Sequence, residues 1–293
     1  MRTSAPLLVV ALAAASLACS FNFDMPSIQR VDPGPLVTED VQIERPDEPS
    51  IQLILGFAAG ELTIAPGDTD YLVEGTASYN VDQLAPQVER NGGQISLSNG
   101  ELESLDDLEF DLDLDLGRDT IIRWELILSA EPMSLEISGG AFAGQMDLGG
   151  LSLERLDLRH GAADVTVDFS TPNQVAMNEL NVNAGAAALT LSNLGNARFE
   201  QMQFQGGAGD FSLGFEGQWQ NDAQARIEVS FGQLTLIIPE ALNVVLEVDQ
   251  SMADVNLPPG FSRQGNRYTQ SGQGPTLELL IEIGAGNLQI ERP

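Results

Sequence analysis

A short phrase returns along this chain, and its spacing limits the possible folds more than any other feature. Two or three small residues are followed by an acidic or polar residue and then by an apolar–polar–apolar triplet. The clearest copies are Gly161-Ala162-Ala163-Asp164-Val165-Thr166-Val167, Gly185-Ala186-Ala187-Ala188-Leu189-Thr190-Leu191 and Gly207-Ala208-Gly209-Asp210-Phe211-Ser212-Leu213. The first position of the phrase falls at Gly140, Gly161, Gly185, Gly207 and Ser230, in nearly even steps, and a late copy begins at Gly284. Further strand-like alternations, such as Leu180-Asn181-Val182 and Ile227-Glu228-Val229, lie between the phrases.

A period of about 22 residues, with two or three short strands per unit, is the signature of a solenoid. Strand residues advance about 3.3 Å each, so one unit closes one turn of a coil with corners. Small residues at the same point of every turn make the corners tight, because glycine reaches positive φ and does not crowd the turn above. The predicted fold is all-β, a parallel β-helix or β-solenoid with repeats of about 22 residues. Its corners are assigned to Gly60, Gly140, Gly161, Gly185, Gly207, Gly232 and Gly284. Val165 and Val167, Leu189 and Leu191, Phe211 and Leu213, and Leu234 and Leu236 are expected to stack inward, with Thr166, Thr190, Ser212 and Thr235 outward. A β-sandwich also has short, evenly spaced strands, but a recurring small-residue corner argues against it.

Four segments are expected. Residues 1–18 read as a signal peptide, with Arg2 followed by an apolar run from Leu7 to Leu17 that is too short for an ordinary membrane span. Cys19, the only cysteine, follows a small residue at the end of that run and resembles a lipobox cysteine, which would anchor the exported protein to the membrane or cell surface by a lipid; the alternative is ordinary signal cleavage near Ala18, which leaves a free thiol. Residues 19–49 form a tether, since Pro26, Pro33, Pro35, Pro46 and Pro49 oppose helix and central strand. Residues 50–130 hold a first β segment with an early copy of the phrase at Ala58 to Ile64, and residues 131–293 hold the repeats.

Acidity narrows the partners. The formal net charge is −30, from 43 acidic residues against 13 basic ones, and every basic residue is arginine. Such a chain repels nucleic acid and, apart from its lipid, an anionic membrane surface.

No residue pattern predicts catalysis or a cofactor. His160 is the sole histidine and cannot build a typical zinc site without further His or Cys ligands, and no nucleophile elbow, P-loop or dinucleotide fingerprint is present. It reads as a structural or surface residue. Glu109, Asp111, Asp113 and Asp115 alternate with Phe110, Leu112, Leu114 and Leu116, which puts four carboxylates on one strand face. Calcium could sit there, although the EF-hand pattern is not met; a solvated acidic face is the plainer reading. Gly206-Gly207-Ala208-Gly209-Asp210 comes near the calcium-roll repeat but places Asp one position early. Asp164 and Asp210, at one point of different repeats, could form a second acidic ladder. The long insertion Asp249 to Gly274 reads as a lid, a binding loop or a cap.

The strand and corner at Ile54-Leu55-Gly56-Phe57-Ala58-Ala59-Gly60-Glu61-Leu62, the Trp124 strand and the Gly-Ala-x-Asp-Val-Thr-Val units resemble the toast-rack domain proteins. These are close to the adhesin-like and LiaF-like cell-envelope β-solenoid proteins of bacteria. The resemblance runs from about Ser50 to Arg292 and implies a right-handed β-solenoid at the cell envelope, with no established catalytic residues. The functional expectation is a non-catalytic adhesion or envelope-interaction module whose ligand the sequence does not name. The alternative is a polysaccharide-binding or polysaccharide-active β-helix.

Overall fold

The computed structural model describes residues 29–31, 33–99, 114–116 and 119–293. The signal segment, Cys19, the first part of the tether, and Glu109, Asp111 and Asp113 of the acidic alternation lie outside the described residues. In chain order the strands are β1 (Gln29–Val31), β2 (Val37–Ile43), β3 (Gln52–Pro66), β4 (Val73–Tyr79), β5 (Pro86–Asn91), β6 (Gln94–Asn99), β7 (Leu114–Leu116), β8 (Ile122–Leu128), β9 (Pro132–Asp147) and β10 (Ser152–Asp168). They continue with β11 (Met177–Ser192), β12 (Phe199–Gly214), β13 (Ala223–Ile237), β14 (Asn243–Asn256), β15 (Ser262–Gln264), β16 (Arg267–Gln270) and β17 (Thr276–Glu291), and a single helical turn, α1 (Leu194–Ala197), precedes β12. β1 and β7 pair with each other, and the other strands form one mixed 15-stranded sheet. Among the described residues no helix is long and apolar enough to cross a membrane.

Eight strands (β3, β9 to β14 and β17) run from 14 to 17 residues, against about 5–6 for an ordinary strand. The burial pattern explains the length. Inward positions alternate up to a corner and then change parity: Ala225, Ile227 and Val229 are buried, then Leu234 and Leu236; Leu279, Ile281 and Ile283, then Leu288 and Ile290. The step from Val229 to Leu234 is odd, and straight alternation cannot make it. Two successive residues therefore face outward at the bend, and each long strand is two limbs joined by a corner. The alternations read as separate strands before each phrase are the first limbs, and the phrases are the corners and second limbs.

All eight long strands run parallel in the order β3, β9, β10, β11, β12, β13, β17, β14. Leu156 pairs with Leu180, Leu180 with Met202, Met202 with Ala225, and Ala225 with Leu279. Each apolar residue thus stacks on its counterpart in the next rung, and the rungs share one continuous core. Within it a chain of edge-on rings links Trp124, Phe57, Phe142 and His160, with centroids 5.0, 5.8 and 6.2 Å apart.

The expectation of a purely parallel coil is corrected at both ends. The sheet forks at β3, whose first limb pairs with β6 and second limb with β8, both in parallel. Antiparallel β5 then covers β6, and antiparallel β4 and β2 extend from β8. At the far end antiparallel β16 lies along Val244–Glu247 of β14, and β15 pairs with β16. An open end exposes unpaired backbone and apolar rungs, so terminal units of stacked proteins need a different cover. The chain also makes β14 before β17, yet β17 lies between β13 and β14. Local patterning does not encode that exchange.

Buried asparagines fasten the return segments. The Asn173 side chain donates to the Leu153 carbonyl at 2.8 Å and accepts from the Leu153 amide at 2.8 Å. Asn196 likewise donates to the Phe169 carbonyl and accepts from the Gln218 amide, each at 2.8 Å. These side chains act as substitute peptide groups where no strand partner exists, which is how buried backbone groups in a loop become satisfied.

Candidate functional site

The in-register rungs sort the chemistry-bearing side chains onto two outer faces. On the first limbs one column runs Glu136, Asp157, Asn181, Gln203, Arg226, Leu280, Glu247 and Arg267, one residue from each successive strand. Beside it runs Arg155, Glu179, Gln201, Gln224, Glu278 and Val245. On the second limbs the middle column runs Thr63, Gln145, Thr166, Thr190, Ser212, Thr235 and Gln289. Thr166, Thr190, Ser212 and Thr235 therefore stand on four adjacent strands, spaced by the inter-strand distance of about 4.8 Å.

Arginines on the first face are tied to acids. Arg155 donates from Nε to Asp157 at 2.6 Å and also bonds Glu179, while Asn181 donates to the other Asp157 oxygen at 2.9 Å. Arg159 pairs with Glu136 at 3.0 Å. Arg226 bridges Glu228 and Glu282, the latter at 2.6 Å, and Arg267 pairs with Glu247. Hydrogen bonds to Asp157 and to Glu228 hold the Arg155 and Arg226 guanidiniums above the usual arginine range.

A shallow depression of about 350 Å³ opens on this face where β12, β13, β17, β14 and β16 adjoin, and its lining includes Gln201, Gln203, Gln224, Arg226, Glu247, Arg267, Glu278 and Leu280. Gln224 donates to Glu278 at 3.2 Å. Leu280 is 37% exposed, an apolar residue in an otherwise polar column. The depression sets amide, guanidinium and carboxylate groups side by side on a shallow floor.

The corner glycines fall at two positions of the rung. Gly140, Gly161, Gly185, Gly207 and Gly284 share one position, where the pairing ladder skips a residue between neighbours such as His160–Ala184 and Ala162–Ala186. Their constraint is close stacking: a Cβ on Gly207 would lie 2.5 Å from the Gly185 carbonyl oxygen and one on Gly284 2.6 Å from that of Ser230. Gly60 and Gly232 sit two residues further on, in the position shared by Gly209 and Gly286, and have φ of 113° and 120°. There the left-handed backbone itself requires glycine.

His160 points into the core with 2% exposure, and among the described residues neither ring nitrogen has a hydrogen-bond partner. Burial pushes its pKa down to about 4, so the ring is neutral at pH 7. Trp124 is fully buried. Asp164 and Asp210 stand on either side of Ala188 in one column, so the expected acidic ladder is interrupted between them. Among the described residues no group of three or more His, Cys, Asp and Glu side chains is placed to hold a metal ion.

Two features escaped sequence reading. Residues 251–256, Ser-Met-Ala-Asp-Val-Asn, form another copy of the phrase, and Met252 to Asn256 pair in register with Ala285 to Gln289. Its small-residue start was the available signal, hidden within a stretch read as an insertion. The remainder of that insertion is the β15–β16 hairpin on the edge of β14. The glutamine column on β12 and β13 was also missed, because alternating polar residues look alike until the register aligns them.

A family model described as the N-terminal domain of toast_rack, DUF2154, matches residues 32–191. No curated protein matches the chain. Among solved structures, a candidate cell adhesion protein from Clostridium sporogenes is 20% identical, covering 88% of this chain and all of that one, with a TM-score of 0.46. A candidate adhesin from Bacteroides fragilis is 12% identical, covering 89% of this chain and 99% of that one, with a TM-score of 0.36. A candidate lipid binding protein from Parabacteroides distasonis is 11% identical, with coverage of 89% and 99% and a TM-score of 0.35.

Proposed function

This chain belongs to the family defined by the N-terminal domain of toast_rack, and from that premise we propose that it is a non-catalytic adhesion or envelope-interaction module, exported and held at the cell envelope by a lipid on Cys19. The working body is a right-handed β-solenoid with one rung per about 22 residues. The in-register pairing of Gly139 with His160, of His160 with Ala184 and of Ala184 with Gly206 supports that reading, as does the strong right-handed preference of parallel strand crossovers.

One observation carries the functional reading. The polar side chains are spread in columns over two sheet faces, with arginines neutralised in place by neighbouring acids. Such a surface recognises an extended partner by many weak contacts. The test is co-sedimentation of the mature protein with the envelope fraction of its own cells, at low and at high salt. Retention at both salts is expected. A protein that stays in the supernatant at both would sink the proposal. Mass spectrometry of the native N-terminus tests the anchor: a diacylglyceryl mass on Cys19 is expected, and an unmodified Cys19 rejects it.

The second reading, polysaccharide binding, is favoured by the depression over β12 to β17 and its row of amide side chains.

A further inference from the structure

Five neighbouring strands bring Gln203, Arg226, Leu280, Glu247 and Arg267 into a single column. At about 4.8 Å per strand the column is about 19 Å long, and it runs across the strands along the stack. Both of its arginines are paired with acids. Arg267 is paired with Glu247, Arg226 with Glu228 and Glu282, and Glu278 accepts from Gln224. The amides of Gln201 and Gln203 are different: both side chains are exposed, and neither has a side-chain hydrogen bond among the described residues. Leu280 offers an apolar patch between them and β14.

We propose that this depression is a binding site for a neutral, unbranched polysaccharide lying along the column. A sugar ring carries hydroxyls that both donate and accept, and a C–H face that seeks apolar contact. Amide groups match the first requirement, because each carries donor and acceptor together, and Leu280 matches the second. Paired guanidiniums and carboxylates supply fixed donors and acceptors. A net charge of −30 repels polyanionic glycans, which selects the neutral class. The proposal rests on the envelope-interaction reading and gives that reading a ligand class.

Affinity electrophoresis of the mature protein through gels holding laminarin, a largely linear neutral β-glucan, tests it, with hyaluronan as the polyanionic arm. The wild type should be retarded by laminarin and not by hyaluronan. Gln201→Ala/Gln203→Ala and Leu280→Lys should each weaken retardation at least tenfold, with unfolding midpoints matching wild type. Thr190→Ala/Thr235→Ala, on the other face, should run as wild type. The site is overturned if laminarin does not retard the protein, if retardation survives both depression variants, or if hyaluronan retards it equally. Envelope co-sedimentation separates the two levels. A protein that sediments with envelope but ignores laminarin loses the glycan site alone; one that does neither loses both.

Discussion

Gly161 and Gly232 look equivalent in sequence, each within the small residues of a corner, yet replacing them with alanine should have different outcomes. Gly232 has φ of 120°, and a Cβ there would lie 1.9 Å from the Gly209 carbonyl oxygen and 3.0 Å from its nitrogen. Both contacts are to backbone on the adjacent rung, which cannot rotate away as a side chain can. Forcing an L-residue into that backbone region costs about 1–3 kcal/mol. Relieving the overlap by moving a packed rung costs a further amount of about 1–3 kcal/mol. Gly232→Ala should therefore lose about 2–6 kcal/mol, and at about 2–4 °C per kcal/mol for a domain of this size the midpoint should fall by roughly 4 °C at the least. Gly161 has an ordinary φ, and its Cβ would meet the Gly140 carbonyl oxygen at 3.2 Å. There the lost unfolded-state freedom of glycine offsets the tight contact, and the change should stay within about 1 kcal/mol of wild type. Thermal unfolding followed by far-ultraviolet circular dichroism reads both variants. Equal midpoints for the two, or a Gly232→Ala protein as stable as wild type, would refute the two-position corner.

His160 predicts a pH dependence. Its pKa is about 4 when folded and 6.5 as the ordinary value, so the unfolded chain binds the extra proton between those limits. Its contribution is complete above about pH 6.5 and is lost as pH falls toward 4, by about 1.4 kcal/mol per pH unit at most; His160→Leu should flatten urea midpoints across that window, and an unchanged slope would contradict the buried neutral ring. Asn173→Ala leaves the buried amide and carbonyl of Leu153 without their partner, and at about 1–3 kcal/mol for each stranded group it should lower the urea midpoint markedly; a neutral result would mean that water replaces the clip. Phe231 is 63% exposed on the corner ridge, so Phe231→Ser should leave the thermal midpoint within about 2 °C, since surface changes usually fall within about 0.5 kcal/mol; a larger drop on a thermal scan would show that the ring packs against something.

By itself the sequence determined the all-β class, the inward ladders and the hydroxyl column. Strand periodicity and a recurring small-residue phrase are local properties, and Val165, Leu189, Phe211 and Leu234 carry them in the chain. Tertiary structure alone decided three things. It joined the paired alternations into bent strands, because the parity change at the corner shows only when both limbs share a core. It placed β17 between β13 and β14 and closed the ends with antiparallel strands, since which edge a strand joins depends on non-local pairing. And it assembled the depression: Gln203, Arg226, Glu247, Arg267 and Leu280 lie far apart along the chain and become neighbours only through the register of parallel rungs. Backbone hydrogen bonding sets that register and leaves no mark on the polar residues it aligns.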